Sequence, residues 1–261
     1  MRYVRYCTPG GPRWGRIDGG TLIPLATDYL VSTQETDERL ELEKVRLLAP
    51  VAPPNILAIG LNYREHAAES SAELPRAPVL FLKANTSVIG PGEPIRLPKM
   101  APNEVDYEAE LAIVMRKQAR DVGSGEALDY VFGYTCGNDV SARDAQLRED
   151  KQWARGKSFD TFCPIGPWIE TELDPQSAAV ICRLNGQEMQ NSNTGDMIFP
   201  AAELVSYLSR CMTLLPGTVI MTGTPSGVGF ARKPPVFLRA GDCVEIEIGG
   251  LGTLLNPVEA A

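Results

Sequence analysis

The chain has 261 residues, 44% of them hydrophobic, and a formal net charge of −8. This composition is typical of a soluble globular protein with a substantial core. Lys and Arg form no clustered run, which argues against nucleic acid as a partner because phosphate neutralisation needs such clusters. No stretch of about 18 apolar residues occurs, so we expect neither a signal peptide nor a membrane span, and we predict a cytoplasmic protein.

Cysteine and histidine restrict the possible chemistry. The six cysteines lie far apart with no Cys-x-x-Cys pair, which predicts reduced, mostly buried thiols. His66 is the only histidine, so a histidine-rich metal site is excluded. If the chain is a metalloenzyme, carboxylates must hold its metal.

The first fifty residues begin with short β-like segments at 1–6, 14–17 and 21–24, and a polar stretch at 33–48 is compatible with a helix. Residues 49–54 contain three prolines, which interrupt regular structure because proline lacks an N–H group. We therefore predict a small N-terminal β-containing domain, residues 1–50, and a main domain, residues 51–261.

The main domain is rich in short apolar or β-branched runs, and three segments have helical patterns at 63–70, 142–149 and 200–211. The β-like runs are 56–59, 79–82, 110–115, 131–136, 180–184, 218–221 and 243–248. The pattern predicts a mostly β, α+β fold, with the main domain a mixed β-roll or barrel and helices at its periphery.

Strand alternation places Asp106, Glu108 and Glu110 on one face of the segment that leads into the run 110–115. Neighbouring like charges destabilise a strand unless a cation or hydrogen-bond donors compensate them. A divalent ion is the simplest such cation, although the spacing alone leaves open a solvated strand edge. Asp139 follows the run 131–136, where it either joins these acids or caps a helix.

Six ordered motifs between about residues 56 and 258 resemble the fumarylacetoacetate hydrolase family, in its short bacterial form. They are Ala58-Ile59-Gly60-Leu61-Asn62-Tyr63-Arg64-Glu65-His66, Leu80-Phe81-Leu82-Lys83, Glu108-x-Glu110, Asn138-Asp139-Val140-Ser141-Ala142-Arg143-Asp144-x-Gln146, Lys157-Ser158-Phe159-Asp160 and Thr222-Gly223-Thr224-Pro225-x-Gly227-Val228-Gly229. The fold of that family is the mixed β-roll predicted above.

The resemblance implies roles for residues that the pattern alone does not assign. Glu108, Glu110 and Asp139 match ligands of Mg²⁺ or Mn²⁺, which Ca²⁺ can replace in a crystal. Lys157 matches a lysine beside the metal. The matches to substrate-binding positions are Tyr63, Arg143, Gln146, Thr222, Gly223 and Thr224, which without the family would be read as helix-surface or turn residues.

His66 and Glu69 lie three residues apart on a predicted helix, so they can work as a base and its orienting acid, or be an incidental exposed pair. In related short members this helix is a lid that ligand orders. The larger eukaryotic members use a further metal-binding aspartate, which residues 59–62 lack, so water would complete the metal sphere.

The implied reaction is hydrolysis of a carbon–carbon bond in a 2,4-dioxo acid, of the acylpyruvate or fumarylpyruvate type. The metal would act as a Lewis acid on the pyruvate enolate, and His66 with Glu69 would activate water. Oxaloacetate decarboxylation and 2-hydroxyhepta-2,4-diene-1,7-dioate isomerisation are alternatives within the family. Outside enzymes, an inactive metal-binding scaffold is the other reading, and family precedent predicts a homodimer.

Overall fold

The computed structural model describes residues 1–260, and strands dominate it. The strands are β1 (Arg2–Thr8), β2 (Gly11–Asp18), β3 (Thr21–Pro24), β4 (Leu40–Glu41), β5 (Leu47–Leu48), β6 (Ile56–Gly60), β7 (Val79–Lys83), β8 (Val88–Ile89), β9 (Ile95–Leu97), β10 (Val105–Asp106), β11 (Ala109–Met115), β12 (Val131–Asn138), β13 (Ser141–Ala142), β14 (Cys163–Glu170), β15 (Ala179–Leu184), β16 (Gln187–Asn193), β17 (Val219–Met221), β18 (Cys243–Ile248) and β19 (Gly252–Ala260).

Helices are few and short. They are α1 (Arg64–Glu69), α2 (Ala154–Lys157) and α3 (Ala201–Cys211), with a π-helical segment at Ala145–Glu149. Only α3 exceeds two turns, and it is amphipathic, burying Leu204, Val205 and Leu208 against the core. Within residues 1–260 no helix combines the length and the apolar character of a membrane span.

Two sheets enclose the main core. The larger has twelve strands, with the order β4-β3-β2-β1-β14-β12-β11-β17-β6-β7, while β5 pairs with β1 and β8 with β14. The smaller has the order β16-β15-β18-β19-β9, and β10 pairs with β13. Side chains of both sheets meet in one cluster, for example Leu111 and Ile113 of β11 with Val180 and Ile246 of the smaller sheet. The predicted α+β fold is confirmed, and across residues 1–260 the larger sheet is an open path rather than a closed barrel.

The N-terminal segment shares both sheet and core with the rest of the chain. β1 pairs with β14, placing Arg2 opposite Glu170 and Tyr3 opposite Ile169. The ring of Phe132, in β12, stacks on Tyr29 at 4.9 Å between centroids and lies 5.2 Å from Tyr3. The division at residue 50 stays a prediction, and these contacts argue that the two parts unfold together.

Several predicted elements match closely, but one helix was wrong. The stretch 33–48 contains only a 3₁₀ turn, Leu42–Lys44, between β4 and β5. Pairing of β4 with β3 and of β5 with β1 overrides its weak helical preference, because a polar helix with no apolar face to pack against the core is only marginally stable. Among the longer strands, β14, β16 and β19 were not predicted.

Three of the six free cysteines are buried, namely Cys136, Cys163 and Cys182.

We expect Phe132→Ala to lower the free energy of unfolding by about 3–5 kcal/mol, because it removes a buried aromatic ring and leaves a cavity. Urea unfolding followed by circular dichroism measures this change. One cooperative transition is expected, since Phe132 contacts the N-terminal segment and belongs to the main sheet. Val31→Ala, at a side chain that is 78% exposed, is the control and should change stability by less than about 0.5 kcal/mol. A separate early transition of the N-terminal segment would contradict shared folding.

Candidate metal centre and active-site cavity

Three carboxylates converge where β11 and β12 run side by side. Ala109 pairs with Asn138 and Glu110 with Gly137, so the start of β11 faces the end of β12. The backbone N–H of Asp139 donates to the Glu108 carbonyl at 2.9 Å, which fixes the chain just beyond the ladder. One carboxylate oxygen from each of Glu108, Glu110 and Asp139 lies within 4.8 Å of the others. All three residues are buried.

Three basic residues compensate most of this buried negative charge. Lys157 Nζ donates to Glu108 Oε2 at 2.8 Å and to Asp139 Oδ2 at 2.7 Å. Lys83 Nζ contacts Asp139 Oδ1 at 2.5 Å, and Arg143 Nη2 lies 2.7 Å from Glu108 Oε1. Burial alone would raise the pKa of Glu108, but the charges of Lys157 and Arg143 outweigh it and lower this pKa to about 2.

Glu110 is the least compensated of the three acids. Its Oε2 accepts a hydrogen bond from the backbone N–H of Gly223 at 2.8 Å, and no basic side chain of residues 1–260 forms an ion pair with it. Burial, then the negative charges of Asp139 and Glu108, raise the pKa of Glu110 well above its usual range. A cation beside Glu110 would remove this electrostatic penalty.

The donor set fits a hard divalent cation. All three candidate ligands offer carboxylate oxygens, the donors that Mg²⁺, Mn²⁺ and Ca²⁺ prefer. The Tyr63 hydroxyl is among the buried polar atoms that have no partner within residues 1–260. Burial, then the negative charge of Glu110, raise the pKa of Tyr63, so its hydroxyl stays protonated. These three acids can hold a divalent metal; its identity is not set by the geometry.

A cavity of about 260 Å³ opens beside the cluster. Its lining contains Glu108 and five other residues that the sequence predicted as catalytic or substrate-binding: His66, Arg143, Gln146, Lys157 and Thr224. Apolar side chains form much of the remaining lining, chiefly those of Ile59, Leu61, Phe81, Leu147, Trp153 and Phe230. The cavity thus brings predicted catalytic and substrate-binding residues together at the edge of the candidate metal centre.

His66 lies on α1, 7% exposed, and its Nδ1 is 3.3 Å from Glu69 Oε2. Glu69 also accepts hydrogen bonds from the backbone N–H of Gly227 at 3.0 and 3.1 Å. Glu65 accepts one from the Ser226 hydroxyl at 3.3 Å. The helix is therefore formed and attached to the 226–227 turn, with the imidazole turned into the cavity. The Glu69 carboxylate orients the ring while the other ring nitrogen remains available.

Arg143 and Gln146 line the cavity but are already engaged with each other. Arg143 Nη1 donates to Gln146 Oε1 at 2.8 Å, and Arg143 Nε donates to Asp106 Oδ2 at 2.9 Å. The guanidinium also lies 4.4 Å from the centre of the Phe230 ring. Both residues therefore face the cavity as parts of a preformed network rather than as free surface groups.

Four other predicted substrate contacts differ in placement. Thr224 lines the cavity, although its hydroxyl donates to the Ala109 carbonyl at 3.0 Å. The Thr222 hydroxyl donates to the Leu111 carbonyl at 2.8 Å, and the Gly223 N–H is bound to Glu110. Neither Thr222, Gly223 nor Tyr63 is among the lining residues. In this structure Gly223 holds Glu110 and Thr222 holds the neighbouring strand β11, and contact of Thr222, Gly223 and Tyr63 with substrate stays a prediction.

Sequence reasoning assigned no role to three residues that the structure places in or around the site. Lys83 belonged to a matched motif, and a lysine that ends an apolar run was the available signal. Asp106 was predicted to lie on the same face as Glu108 and Glu110. In the structure its carboxylate accepts hydrogen bonds from the backbone N–H groups of Gly229 and Phe230 at 2.8 and 3.0 Å. Trp153 had no signal in the sequence, although it lines the cavity.

Comparison with known proteins agrees with this arrangement. The sequence profile described as fumarylacetoacetate (FAA) hydrolase C-terminal matches residues 55–259, and one described as Rv2993c-like, N-terminal, matches residues 1–50. The first covers more than half of the chain. The chain therefore belongs to the fumarylacetoacetate hydrolase family and is an enzyme of that family, which confirms the resemblance seen in its motifs.

Similar proteins carry names of different activities. The mitochondrial oxaloacetate tautomerase fahd2 of Xenopus laevis is 47% identical over 92% of this chain and 76% of its own length. The structure of a 2-hydroxyhepta-2,4-diene-1,7-dioate isomerase from Mycobacterium marinum has a TM-score of 0.90 and 42% identity, covering 100% of this chain and 98% of that one. A fumarylacetoacetate hydrolase from Exiguobacterium antarcticum has a TM-score of 0.90 and 40% identity, with 100% of both chains covered. These names do not agree on one reaction.

Removing divalent metal with a chelator should lower the melting temperature, and Mg²⁺ or Mn²⁺ should restore it, because a ligand of the native state stabilises it by about 2.7 kcal/mol at one hundred times its Kd. Differential scanning fluorimetry measures both steps. Glu110→Gln should lose most of the metal-dependent rise, because an amide offers no carboxylate to the ion, while the metal-free protein melts no lower, because the raised pKa of Glu110 already favours its neutral form there. Glu43→Gln, at an exposed acid, is the control. Equal metal responses in both variants would show that Glu110 is not a ligand.

Proposed function

We propose that the enzyme catalyses enolate chemistry on small 2-oxo acids, and that its main reaction is hydrolytic cleavage of an acylpyruvate-type 2,4-dioxo acid. The observation that carries this proposal is the His66–Glu69 pair, with Nδ1 and Oε2 3.3 Å apart, on the wall of a cavity that also contains Lys157 and Glu108. A base with an orienting acid can take a proton from water at neutral pH. Lys157 places positive charge where negative charge develops on the substrate.

Each step uses a residue of the chain. His66 takes a proton from water, and the resulting hydroxide attacks the distal carbonyl carbon of the substrate. The bond between that carbon and the neighbouring methylene then breaks, and its electron pair passes to the pyruvate part as an enolate. Protonation of this enolate by the imidazolium of His66 gives pyruvate, and the acyl part leaves as a carboxylic acid, which then loses its proton to water. Glu69 stabilises the imidazolium that exists between the two proton transfers.

We infer that the metal is Mg²⁺ or Mn²⁺, held by Glu108, Glu110 and Asp139, since all three offer oxygen donors and the cluster contains no sulfur or imidazole ligand. When bound, the metal supplies Lewis-acid chemistry that polarises oxygen atoms of a 2-oxo acid. Lys83 and Lys157 hold Asp139 from two sides, so its carboxylate is oriented before the metal binds.

A second candidate reaction is tautomerisation of oxaloacetate, with isomerisation of a 2-hydroxy-diene-dioate or decarboxylation of oxaloacetate as variants. The relatives named as tautomerase and isomerase favour it. These reactions share the enolate or dienol but need no attacking water. Here His66 would move a proton between two positions of one substrate rather than activate water.

A homodimer is also part of the proposal, as family precedent implies. Among residues 1–260, β7 ends the larger sheet and exposes Leu82 to 52%. An unpaired edge with an exposed leucine is a surface that a second copy could cover. Size-exclusion chromatography with light scattering measures the assembly.

Assays of acetylpyruvate, fumarylpyruvate, oxaloacetate and a 2-hydroxy-diene-dioate, each with Mg²⁺ and with Mn²⁺, choose between these reactions. We expect the highest kcat/KM with a 2,4-dioxo acid and release of pyruvate in equal amounts with the acyl carboxylate. Coupled lactate dehydrogenase detects the pyruvate. Turnover of oxaloacetate alone, without cleavage of either acylpyruvate, would contradict the hydrolase assignment.

His66→Ala should lower kcat for acylpyruvate hydrolysis by about 10²–10⁴-fold, because a general base is lost, and should affect oxaloacetate decarboxylation less. The His66→Ala variant should keep the metal-dependent rise in melting temperature, which would show that it is folded and binds metal. Glu108→Gln should abolish every activity and weaken that rise, since it alters the cluster itself. Equal loss of both activities in His66→Ala would remove the water-activating role.

A further inference from the structure

One side of the cavity is built from Phe81, Leu147 and Trp153, which we call the apolar wall. The rings of Phe81 and Trp153 meet edge to face with centroids 5.6 Å apart. Lys157 Nζ is 5.3 Å from the centre of the Phe81 ring, so the wall begins directly beside the carboxylate cluster. A substrate whose reacting end lies at Lys157 therefore has apolar surface next to it.

Gly60, the last residue of β6, makes the wall possible. A Cβ atom at this position would collide with the indole ring of Trp153, chiefly at its Cζ3 atom. The ring therefore packs directly against the backbone of β6 at Gly60. The space that an acyl tail would use exists because residue 60 has no side chain.

The two basic residues of the cavity are each already shared by two buried carboxylates. Arg143 is shared by Asp106 and Glu108, and Lys157 by Glu108 and Asp139. Across residues 1–260, no other Lys or Arg lines the cavity. A charged group on the substrate tail would be buried against the apolar wall without a partner, which is strongly unfavourable.

The charge around the cluster also suits a single carboxylate. Three buried basic residues (Lys83, Arg143, Lys157) face four buried acids (Asp106, Glu108, Glu110, Asp139), so a divalent ion would leave one positive charge. The carboxylate at the reacting end of the substrate neutralises it.

Building on the hydrolase assignment, we propose that the substrate is a 2,4-dioxo monocarboxylic acid whose acyl tail is uncharged and apolar, an alkyl chain or an aromatic ring, and that Phe81 and Trp153 select it. Dicarboxylic tails such as that of fumarylpyruvate are disfavoured. Each methylene buried on the wall should raise kcat/KM about fourfold, which corresponds to about 0.8 kcal/mol.

The first test compares acetylpyruvate, hexanoylpyruvate, benzoylpyruvate and fumarylpyruvate on the metal-loaded enzyme. We expect kcat/KM to rise from acetyl to hexanoyl and benzoyl, and to be lowest for fumarylpyruvate. Gly60→Ala, which forces the indole into the cavity, should lower the benzoylpyruvate value at least tenfold and the acetylpyruvate value less than threefold. Cleavage of fumarylpyruvate as fast as that of benzoylpyruvate would overturn the selection of apolar tails.

The second test measures binding without turnover. Quenching of tryptophan fluorescence should show that 4-phenyl-2-oxobutanoate binds at least tenfold more tightly than 2-oxoglutarate, which carries a carboxylate at its tail. Trp153→Phe should remove the signal, whereas Trp14→Phe, at a residue outside the cavity lining, should keep it. Equal binding of the two acids would overturn the proposal.

The two tests separate this inference from the function on which it rests. If no acylpyruvate is cleaved but the phenyl compound still binds more tightly, the hydrolase assignment fails and the apolar wall stands. If acylpyruvates are cleaved at rates independent of their tails, the hydrolase assignment stands and the apolar wall fails as a selector. If Trp153→Leu lowers kcat/KM for acetylpyruvate and for benzoylpyruvate by the same factor, Trp153 has a general structural role instead.

Discussion

Burying Glu108, Glu110 and Asp139 within a few ångströms of one another is the constraint on which the rest of the site depends. Charges removed from water are costly unless partners compensate them closely. Lys157 lies between Glu108 and Asp139, and Lys83 approaches Asp139 from the other side. The ends of β7, β12 and α2 are thereby held at one point. Glu110 has only a backbone donor, so a cation beside it would complete the charge compensation of the cluster.

The loop of residues 223–230 connects the carboxylates to the helix that carries His66. Its backbone N–H groups bind Glu110 at Gly223, Glu69 at Gly227 and Asp106 at Gly229. A side chain at Gly227 would strike the Met189 carbonyl, so this close approach requires glycine. One loop therefore holds Glu69, the hydrogen-bond partner of His66, in place relative to the cluster. Because Glu69 of α1 accepts hydrogen bonds from this loop, a displacement of α1 would also disturb the loop that holds Glu110.

The cavity has two chemically different parts. In the proposed reactions, the charged part, formed by the carboxylate cluster, Lys157 and His66, serves the enolate and proton-transfer steps that hydrolysis, isomerisation and tautomerisation have in common. The role proposed for the apolar wall is separate, because it concerns only the tail of the substrate. On this proposal, substrate choice can change through residues such as Trp153 while the carboxylates remain.

Local properties of the chain predict the strand-rich fold class and the pairing of His66 with Glu69, since strand and helix periodicity act over a few residues. Strand alternation leaves Glu108 and Glu110 either a metal site or a solvated edge, and only the resemblance of the ordered motifs to the family points to the three acids as ligands. The sequence does not predict structure that long-range pairing decides: residues 40–41 and 47–48 form edge strands instead of a helix, since β3 and β1 supply their hydrogen-bond partners. Packing of segments distant in the chain brings Lys83 and Asp106 to the site and places Trp153 over Gly60. Such contacts join residues far apart in the chain, and their energies arise from burial and charge that exist only once the sheets have packed.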